Sequence, residues 1–186
     1  MLDTFSKTAL VIVDLQKLIL SMPLAPYSAN ELIKQVVGLS QAVKKGGGTL
    51  IRVITDFSKD LADAPQSNVD TPFRLPPTGM PIDATEIPAS LTAITPDVII
   101  YKRQWSAFYG TDMDLQLRRR GIEKVILAGV ATNFGVESTA RDAWQHHYQV
   151  IVAVDAVSSF SLELHEFSIK NILPRVSKIK NVSEIL

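Results

Sequence analysis

The chain has 186 residues, of which 46% are hydrophobic and 20% are charged, and these proportions are ordinary for a soluble globular protein. Basic and acidic residues number 19 each, so the charge favours neither nucleic acid nor an anionic membrane as a partner. The absence of cysteine excludes disulfides, thiolate metal sites and cysteine nucleophiles. No apolar run approaches the roughly 18 residues of a membrane span and no secretory signal is recognisable, so we expect a cytoplasmic protein with residues 1–186 in one domain.

Apolar, β-branched runs alternate with helical patterns along the chain. The runs have the length and composition of buried parallel strands. Ser28, Thr111 and Ser161 are predicted N-caps of the intervening helices, and Gly121 and Pro174 are predicted to end two of them. This alternation predicts an α/β fold with a parallel sheet of about six strands covered on both faces. In chain order the predicted strands are TALVIVD, GTLIRVIT, DVIIYK, KVILAGV, YQVIVAVD and, more weakly, RVSKI.

Residues 55–96 interrupt this alternation. Its stretch APQSNVDTPFRLPPTGMPIDATEIP contains six prolines. A loop of this length inside a compact domain is usually functional or a subunit contact, although it can also be a surface excursion that packs on its own side chains. We expect it to act as a lid or a subunit interface.

Polar residues stand where three of the predicted strands end. Asp14 directly follows the first strand, Lys102 ends the run DVIIYK, and the turn around Gly135 follows KVILAG. Because ligands bind at the carboxyl ends of the strands in an open parallel sheet, these three ends are expected to converge. Either charge would be costly to bury unless it is paired or hydrogen-bonded. The alternative is that each is simply the first polar residue outside its strand, solvated at the rim of the sheet.

Three long motifs carry a family resemblance: ALVIVDLQ at residues 9–16, YKRQWSAFYGTDMDLQLRRRGI at 101–122 and GVATNFGVESTARDA at 129–143. They resemble the motifs of the isochorismatase-like hydrolases, also called cysteine hydrolases, in order and spacing over nearly the whole chain. The resemblance implies a three-layer α/β/α fold and a site made of an aspartate, a lysine and, in most members, a cysteine. These positions correspond to Asp14, Lys102 and Gly135, so the chain resembles the branch that has glycine in place of the nucleophile.

The resemblance also implies a backbone arrangement around Gly135. Amide-cleaving members attack a carbonyl with the cysteine thiolate, use the aspartate as its base, and hold the oxyanion with N–H groups near a cis peptide bond. By correspondence the cis bond is Val130–Ala131, and the N–H groups of Ala131 and residue 135 form the oxyanion hole. Glycine keeps this geometry and removes only the nucleophile. Amidase chemistry of the nicotinamidase type is therefore disfavoured.

Neither a hydroxyl nor a metal is an obvious substitute for the thiol. Among the nearby hydroxyls of Thr132, Ser138 and Thr139, the last two lie about a turn further along the helix, so Thr132 is the better candidate. Nicotinamidases of the family carry a zinc-type cluster of an aspartate and histidines after the second strand, where this chain has Asp56 without a histidine. We therefore expect no metal and no other cofactor. The histidines fall in later helices, as exposed helix-end residues by prediction: His146, His147 and His165.

The isochorismatases proper, which also have glycine at this position, hydrolyse a vinyl ether. That reaction needs a proton donor rather than a nucleophile, so Asp14 is the expected general acid and Lys102 the partner that positions it or a substrate carboxylate. A nearby lysine lowers the pKa of an aspartate, whereas a general acid at neutral pH needs a raised pKa. Burial and the charge of the substrate must then outweigh the pair. We expect a hydrolase of a small carboxylated metabolite that forms no covalent intermediate.

Further residues are candidates for substrate contact. Gln16 lies two residues after the expected acid, on the same side of the extended chain, where it would orient water or substrate or be a rim glutamine. Trp105, Phe108 and Tyr109 would wall an apolar pocket, or belong to the core or an interface. Arg103 would bind a carboxylate or pair at a subunit contact.

Three alternative functions stay open. The first is a catalytically silent relative that binds a small carboxylated or amide metabolite, the second is an amidase with an unrecognised nucleophile, and the third is a mainly structural oligomer. With any of these, we expect a homo-oligomer, a dimer or a tetramer, and a small molecule as the ligand.

Overall fold

One parallel sheet forms the centre of the molecule in the computed structural model, which describes residues 4–65, 68–72 and 80–186. Its strands are β1 (Thr8–Val13), β2 (Thr49–Thr55), β3 (Val98–Lys102), β4 (Lys124–Val130), β5 (Gln149–Ser158) and β6 (Lys178–Lys180). Within the described residues these six strands pair in the order β3-β2-β1-β4-β5-β6, and every pairing is parallel. The predicted α/β fold is confirmed.

Helices cover both faces of this sheet. They are α1 (Lys17–Leu20), α2 (Ala29–Lys45), α3 (Ala89–Thr92), α4 (Met113–Arg119), α5 (Glu137–Gln145), α6 (Leu162–Phe167) and α7 (Val182–Ile185), with π-helical turns at Thr132–Val136 and Ser168–Ile172 and a 3-10 turn at Leu173–Arg175. Leu10 and Ile12 of β1 join a core shared with α2, α3 and α7, whereas Val11 and Val13 join a core shared with α4 and α5. Because successive side chains of a strand point to opposite faces, the sheet is the middle of three layers.

Two of the predicted helix caps are present and one is displaced. The N–H of Glu31 donates to the hydroxyl of Ser28 at 3.4 Å, and the N–H of Leu164 donates to the hydroxyl of Ser161 at 3.2 Å. The prediction that Thr111 is the N-cap residue of α4 is off by one residue, since Asp112 holds the cap position. The Thr111 hydroxyl nevertheless accepts from the N–H of Met113, the first residue of α4, at 3.2 Å, and it donates to a carbonyl of the preceding turn. Among the residues described, no helix has the length and apolar character that crossing a bilayer requires.

The strand order reverses between β1 and β4, in the middle of the sheet. The chain leaves β1 toward one side of the sheet and β4 toward the other, and this divergence opens a crevice at the carboxyl ends of the two strands. Gly129 of β4 has φ +117°, and a Cβ on it would stand 2.0 Å from the carbonyl oxygen of Val13. Only glycine allows this close approach. The ends of β1 and β4 therefore meet at the crevice.

The later part of the 55–96 segment packs against the turn after β1. The N–H groups of Lys17 and Leu18 donate to the carbonyls of Glu86 at 2.8 Å and Ala84 at 3.2 Å. These bonds hold the chain that leads into α3 beside α1. Residues 66–67 and 73–79 lie outside the described part of the chain, and the lid or interface role of the segment stays a prediction.

Candidate active site

A buried ion pair joins the ends of β1 and β3. The Lys102 Nζ lies 2.8 Å from Oδ2 of Asp14, and the two side chains are 3% and 10% exposed. Asp14 has a φ of 53°, in the left-handed region that aspartate enters more readily than most residues. Its N–H donates to the carbonyl of Val53 in β2 at 3.1 Å. The two charges are thus paired and buried, and they are not separately solvated at the rim of the sheet.

Thr55, the last residue of β2, lies between the two charges. Its hydroxyl donates to Oδ1 of Asp14 at 3.0 Å and accepts from Nζ of Lys102 at 2.8 Å. The Lys102 Nζ also donates to the carbonyl of Gln104 at 3.1 Å. An ammonium group has three N–H donors, and here all three have acceptors within the protein. Lys102 therefore positions Asp14 and keeps no N–H for a substrate carboxylate.

Burial raises the pKa of Asp14 above its ordinary value of 3.8, because the ionised carboxylate loses its hydration. The charge and the hydrogen bond of Lys102 lower this pKa, and so do the hydrogen bonds from Thr55, but burial is the larger effect. The protonated form of Asp14 is therefore favoured more than it is in water. This is the direction that a general acid requires.

Gly135 lies buried in the π-helical turn that directly follows β4. A Cβ at this position would stand 3.4 Å from Oδ2 of Asp14, 3.1 Å from Cγ1 of Val13 and 3.5 Å from the carbonyl oxygen of Trp105. The Val130–Ala131 peptide bond that precedes the turn is cis, as the family resemblance implies. The position that corresponds to the family cysteine is thus in contact distance of Asp14.

Aromatic rings stand beside this turn. The ring centroids of Trp105 and Phe134 are 4.9 Å apart, and those of Phe134 and Phe160 are 6.3 Å apart. Trp105 is 56% exposed, so part of its ring is open to a ligand. Tyr109 is 69% exposed and its predicted contact with substrate stays a prediction, whereas Phe108 is buried in the core. The sequence patterns did not identify Phe134 and Phe160.

Gln16 is 1% exposed, and its amide is bonded to main-chain groups. Its Oε1 accepts from the N–H of Thr55 at 2.9 Å, and its Nε2 donates to the carbonyls of Thr55 at 2.8 Å and Ala84 at 3.3 Å. It is therefore neither a rim glutamine nor a side chain turned toward a ligand. Its observed contacts hold Thr55 in place and tie the 55–96 segment to the end of β1.

A buried threonine and histidine pair lies next to the turn. Oγ1 of Thr132 is 2.9 Å from Nδ1 of His165, and burial lowers the pKa of His165, so its ring is neutral at neutral pH. The prediction that His165 is exposed at a helix end is wrong, because α6 packs its ring against the turn, where Thr132 provides a hydrogen-bonding partner. His146 and His147 are exposed, as predicted.

Other predicted groups make contacts that are structural. The Thr139 hydroxyl donates to the carbonyl of Gly135 at 2.6 Å. Arg103 donates to Asp63 at 2.9 Å, and the N–H of Ser58 together with the Arg103 guanidinium lowers the pKa of Asp63 to about 2. In the described parts of the chain, no cluster of three or more histidine, aspartate or glutamate side chains is placed to hold a metal ion. The donor set after β2 therefore does not fit the zinc-type cluster of the nicotinamidases.

Comparisons with known proteins find relatives along nearly the whole chain. A family model described as the isochorismatase domain matches residues 8–184. The isochorismatase family protein YecD of Escherichia coli O157:H7 is 43% identical over 187 residues, which cover 100% of this chain and 98% of that protein. The structure of an isochorismatase family protein from Burkholderia thailandensis matches with a TM-score of 0.90 and 36% identity, covering 96% of this chain and 93% of that one. A shorter match, 40% identical over 88 residues, covers 45% of this chain and 34% of the ureidoacrylate amidohydrolase RutB of Methylobacterium radiotolerans.

Proposed function

The chain belongs to the isochorismatase family, and from that premise we propose that it is a hydrolase of a small carboxylated metabolite with Asp14 as its proton donor. Family members are hydrolases, among them an enzyme named for amide cleavage. The reaction proposed here is the hydrolysis of a vinyl ether without a covalent enzyme intermediate. The observation that carries the proposal is that Oδ2 of Asp14 lies 3.4 Å from the point where a Cβ at residue 135 would stand.

Proton transfer is the first step of this reaction. The acid form of Asp14 gives its proton to the terminal vinyl carbon, and the electrons of the carbon–carbon double bond form the new C–H bond. The neighbouring carbon becomes an oxocarbenium ion, to which a water molecule adds. The added water releases a proton that restores the acid form of Asp14, and the resulting hemiketal collapses to a keto acid and an alcohol. Water is the only co-reactant.

In the proposed reaction Lys102 acts on Asp14 and not on the substrate. After proton transfer, the Asp14 carboxylate lies 2.8 Å from the Lys102 ammonium, which stabilises its negative charge. Burial stabilises the acid form of Asp14 before proton transfer, whereas Lys102 stabilises the carboxylate after it. The two influences therefore favour opposite stages of the same step. A proton donor must hold its proton at the working pH and still release it to a weak carbon base.

The aromatic side chains near Gly135 favour a substrate with a flat, unsaturated part. Trp105 and Phe134 present aromatic surface next to Gly135, and aromatic faces pack well on planar apolar groups. The N–H groups of Ala131 and Gly135 are the proposed partners of a negatively charged substrate oxygen. Tyr109, at the exposed rim, is proposed to contact the same ligand.

A substrate panel tests this function. Wild type and Gly135→Cys are offered vinyl ethers of carboxylic acids and small amides under the same conditions. We expect the wild type to cleave vinyl ethers and to leave the amides intact. Amide cleavage without vinyl-ether cleavage by the wild type would contradict the proposal, and ligand binding without any turnover would support the silent binding protein instead.

The Thr132–His165 contact favours a second candidate function, an amidase with a hydroxyl nucleophile. His165 Nδ1, 2.9 Å from Oγ1 of Thr132, is placed to take the hydroxyl proton during attack on a carbonyl. Thr132 is fully buried, which makes this candidate the weaker one. Thr132→Val tests it, with Thr8→Val as the matched change at a buried threonine at the start of β1. Amide hydrolysis that is lost only in Thr132→Val would establish it.

Assembly as a homo-oligomer, a dimer or a tetramer, is part of the proposal. Ile99 and Tyr101 are 43% and 51% exposed on β3, which is an edge strand of the sheet. Exposed apolar side chains on an edge strand form a surface that a second copy can cover. Light scattering is expected to give the mass of two or four chains, and the mass of one chain would contradict this part of the proposal.

A further inference from the structure

We infer that Thr55 is a positioning residue of this site, whose hydroxyl holds the Asp14 carboxyl and the Lys102 ammonium together. Its meaning for catalysis rests on the proposed acid role of Asp14. Its physical basis is the set of contacts around the hydroxyl, which exists without any substrate.

The Thr55 hydroxyl uses its one hydrogen on Asp14. It donates to Oδ1 at 3.0 Å and accepts from Nζ of Lys102 at 2.8 Å. A hydroxyl has a single hydrogen and two acceptor lone pairs. The single hydroxyl therefore bonds to the carboxyl and to the ammonium at once. An unmade hydrogen bond in a buried site is costly, so loss of the hydroxyl would leave both groups without one of their partners.

Oδ2 is the Asp14 oxygen that lies toward residue 135. It accepts from Lys102 at 2.8 Å and retains a second lone pair. It is also the oxygen that lies 3.4 Å from the position of a Cβ at residue 135. The Thr55 contact to Oδ1 therefore holds Oδ2 on the side of Asp14 where the substrate is proposed to bind.

The backbone of Thr55 is fixed on both sides, so its hydroxyl is a rigid bridge. Gln16 accepts from the N–H of Thr55 at 2.9 Å and donates to its carbonyl at 2.8 Å. The β2–β3 register pairs Thr55 directly with Lys102. A β-branched side chain has few χ1 rotamers open to it, which further limits movement of the hydroxyl.

The electrostatics of Asp14 agree with this assignment. After burial and the two effects of Lys102, the hydroxyl and the N–H of Thr55 are the next influences on the pKa of Asp14, and both lower it. A hydroxyl that donates to the ionised carboxylate stabilises that form. Removing the hydroxyl is therefore expected to raise the pKa of Asp14 further.

The test is a pH titration of the Asp14 carboxyl carbon by NMR on the full chain labelled with 13C-aspartate, with Asp14→Asn identifying the signal. Thr55→Val and Thr55→Ala remove the hydroxyl, and Thr55→Ser keeps it. Thr49→Val makes the matched change at the other end of β2. We expect the hydroxyl-free variants to bind the Asp14 proton about tenfold more tightly, as the loss of one hydrogen bond to a charged group implies. Thr55→Ser and Thr49→Val are expected to keep the wild-type midpoint.

An unchanged Asp14 midpoint in a folded hydroxyl-free variant, or an equal shift in Thr49→Val, would overturn the inference. Two hydroxyl-free variants are used so that one of them suffices if the other does not fold. Because the titration needs no substrate, its result is separate from that of the substrate panel. A wild type without vinyl-ether turnover overturns the proposed function, while a shifted midpoint still establishes the role of Thr55. Where turnover is present, the alkaline limb of kcat/KM is expected to move to higher pH together with the midpoint.

Discussion

Asp14 and Gly135 are in contact distance, since a Cβ at residue 135 would stand 3.4 Å from Oδ2 of Asp14. By resemblance, most members of the family attach their nucleophilic sulfur at this point. In this chain the glycine adds no side-chain atom beside this carboxyl oxygen. The substrate carbon that takes the Asp14 proton is proposed to lie on this side of the carboxyl, and this relationship is the basis of the proposed acid catalysis.

Gly135→Cys is expected to gain amide hydrolysis, because the new thiol would stand beside Asp14 as it does in the cysteine-bearing members. The added Cβ would lie 3.1 Å from Cγ1 of Val13, so the free energy of unfolding should fall by about 1 kcal/mol. Gly38→Cys is the matched control, since a Cβ at residue 38 of α2 meets nothing within 4 Å. Amide turnover no higher in Gly135→Cys than in Gly38→Cys would show that the turn does not support a nucleophile.

Lys102→Met is expected to raise the pKa of Asp14, because the charge of Lys102 lowers it. The acid form is the active form in the proposal, so activity falls as pH rises through this pKa, and the alkaline limb of kcat/KM should move to higher pH. Lys45→Met, at the exposed end of α2, should leave the profile unchanged. A limb that stays in place or moves to lower pH in Lys102→Met would contradict the account.

Lys102→Met is also expected to lower the free energy of unfolding, and more so at high pH. The folded pKa of Asp14 lies above the ordinary value of 3.8, so the stability contributed by Asp14 is fully present below that value and is lost as pH rises through the folded pKa. Removing Lys102 leaves a buried carboxylate without its partner, which costs about 3–5 kcal/mol. Urea unfolding at pH 8 and pH 4 should therefore show a larger deficit at pH 8.

His165→Asn is expected to weaken the loss of stability in mild acid. The folded pKa of His165 lies below its ordinary value of 6.5, so stability is lost as pH falls from about 6.5 through the folded pKa. One proton contributes at most about 1.4 kcal/mol to this loss for each pH unit. His147→Asn, at an exposed histidine, is the control. Equal acid sensitivity in wild type and His165→Asn, by urea unfolding between pH 7 and pH 5, would contradict the prediction.

Trp105→Ala is expected to raise KM for a vinyl-ether substrate about tenfold and to change kcat less, because an aromatic packing contact is lost while the acid stays in place. Trp144→Ala on α5 is the matched control, since the two indoles are 56% and 53% exposed. Steady-state kinetics gives KM and kcat for both variants, so the effects of the two changes can be compared. An equal effect of the two changes would remove Trp105 from the binding surface.

The strand pattern predicted that the strand ends carrying Asp14 and Lys102 converge, and it left open whether the two charges are paired or solvated. Each follows or ends a run of buried β-branched residues, and the carboxyl ends of parallel strands share one edge of the sheet. The family resemblance added the position of Gly135 and the cis bond at Val130–Ala131, and the structure has both in the expected geometry.

Three features depended on tertiary packing and were not predicted. Thr55 reads as an ordinary β-branched strand residue, and only the strand order β3-β2-β1 places it between the two charges. Phe134 and Phe160 are brought together by a turn that the local hydrophobic periodicity does not predict. His165 resembles a solvated helix-end residue until α6 is packed on the turn that contains Thr132.

Turnover of a carboxylated vinyl ether by Asp14→Asn beside the wild type tests whether Asp14 is the proton donor. Asparagine keeps the size of the side chain and has no carboxyl proton to transfer, and Asp112→Asn makes the same change at an exposed aspartate. We expect a kcat/KM at least about a hundredfold lower in Asp14→Asn, as removal of a general acid implies, and no change in Asp112→Asn. Turnover by Asp14→Asn close to that of the wild type would contradict it.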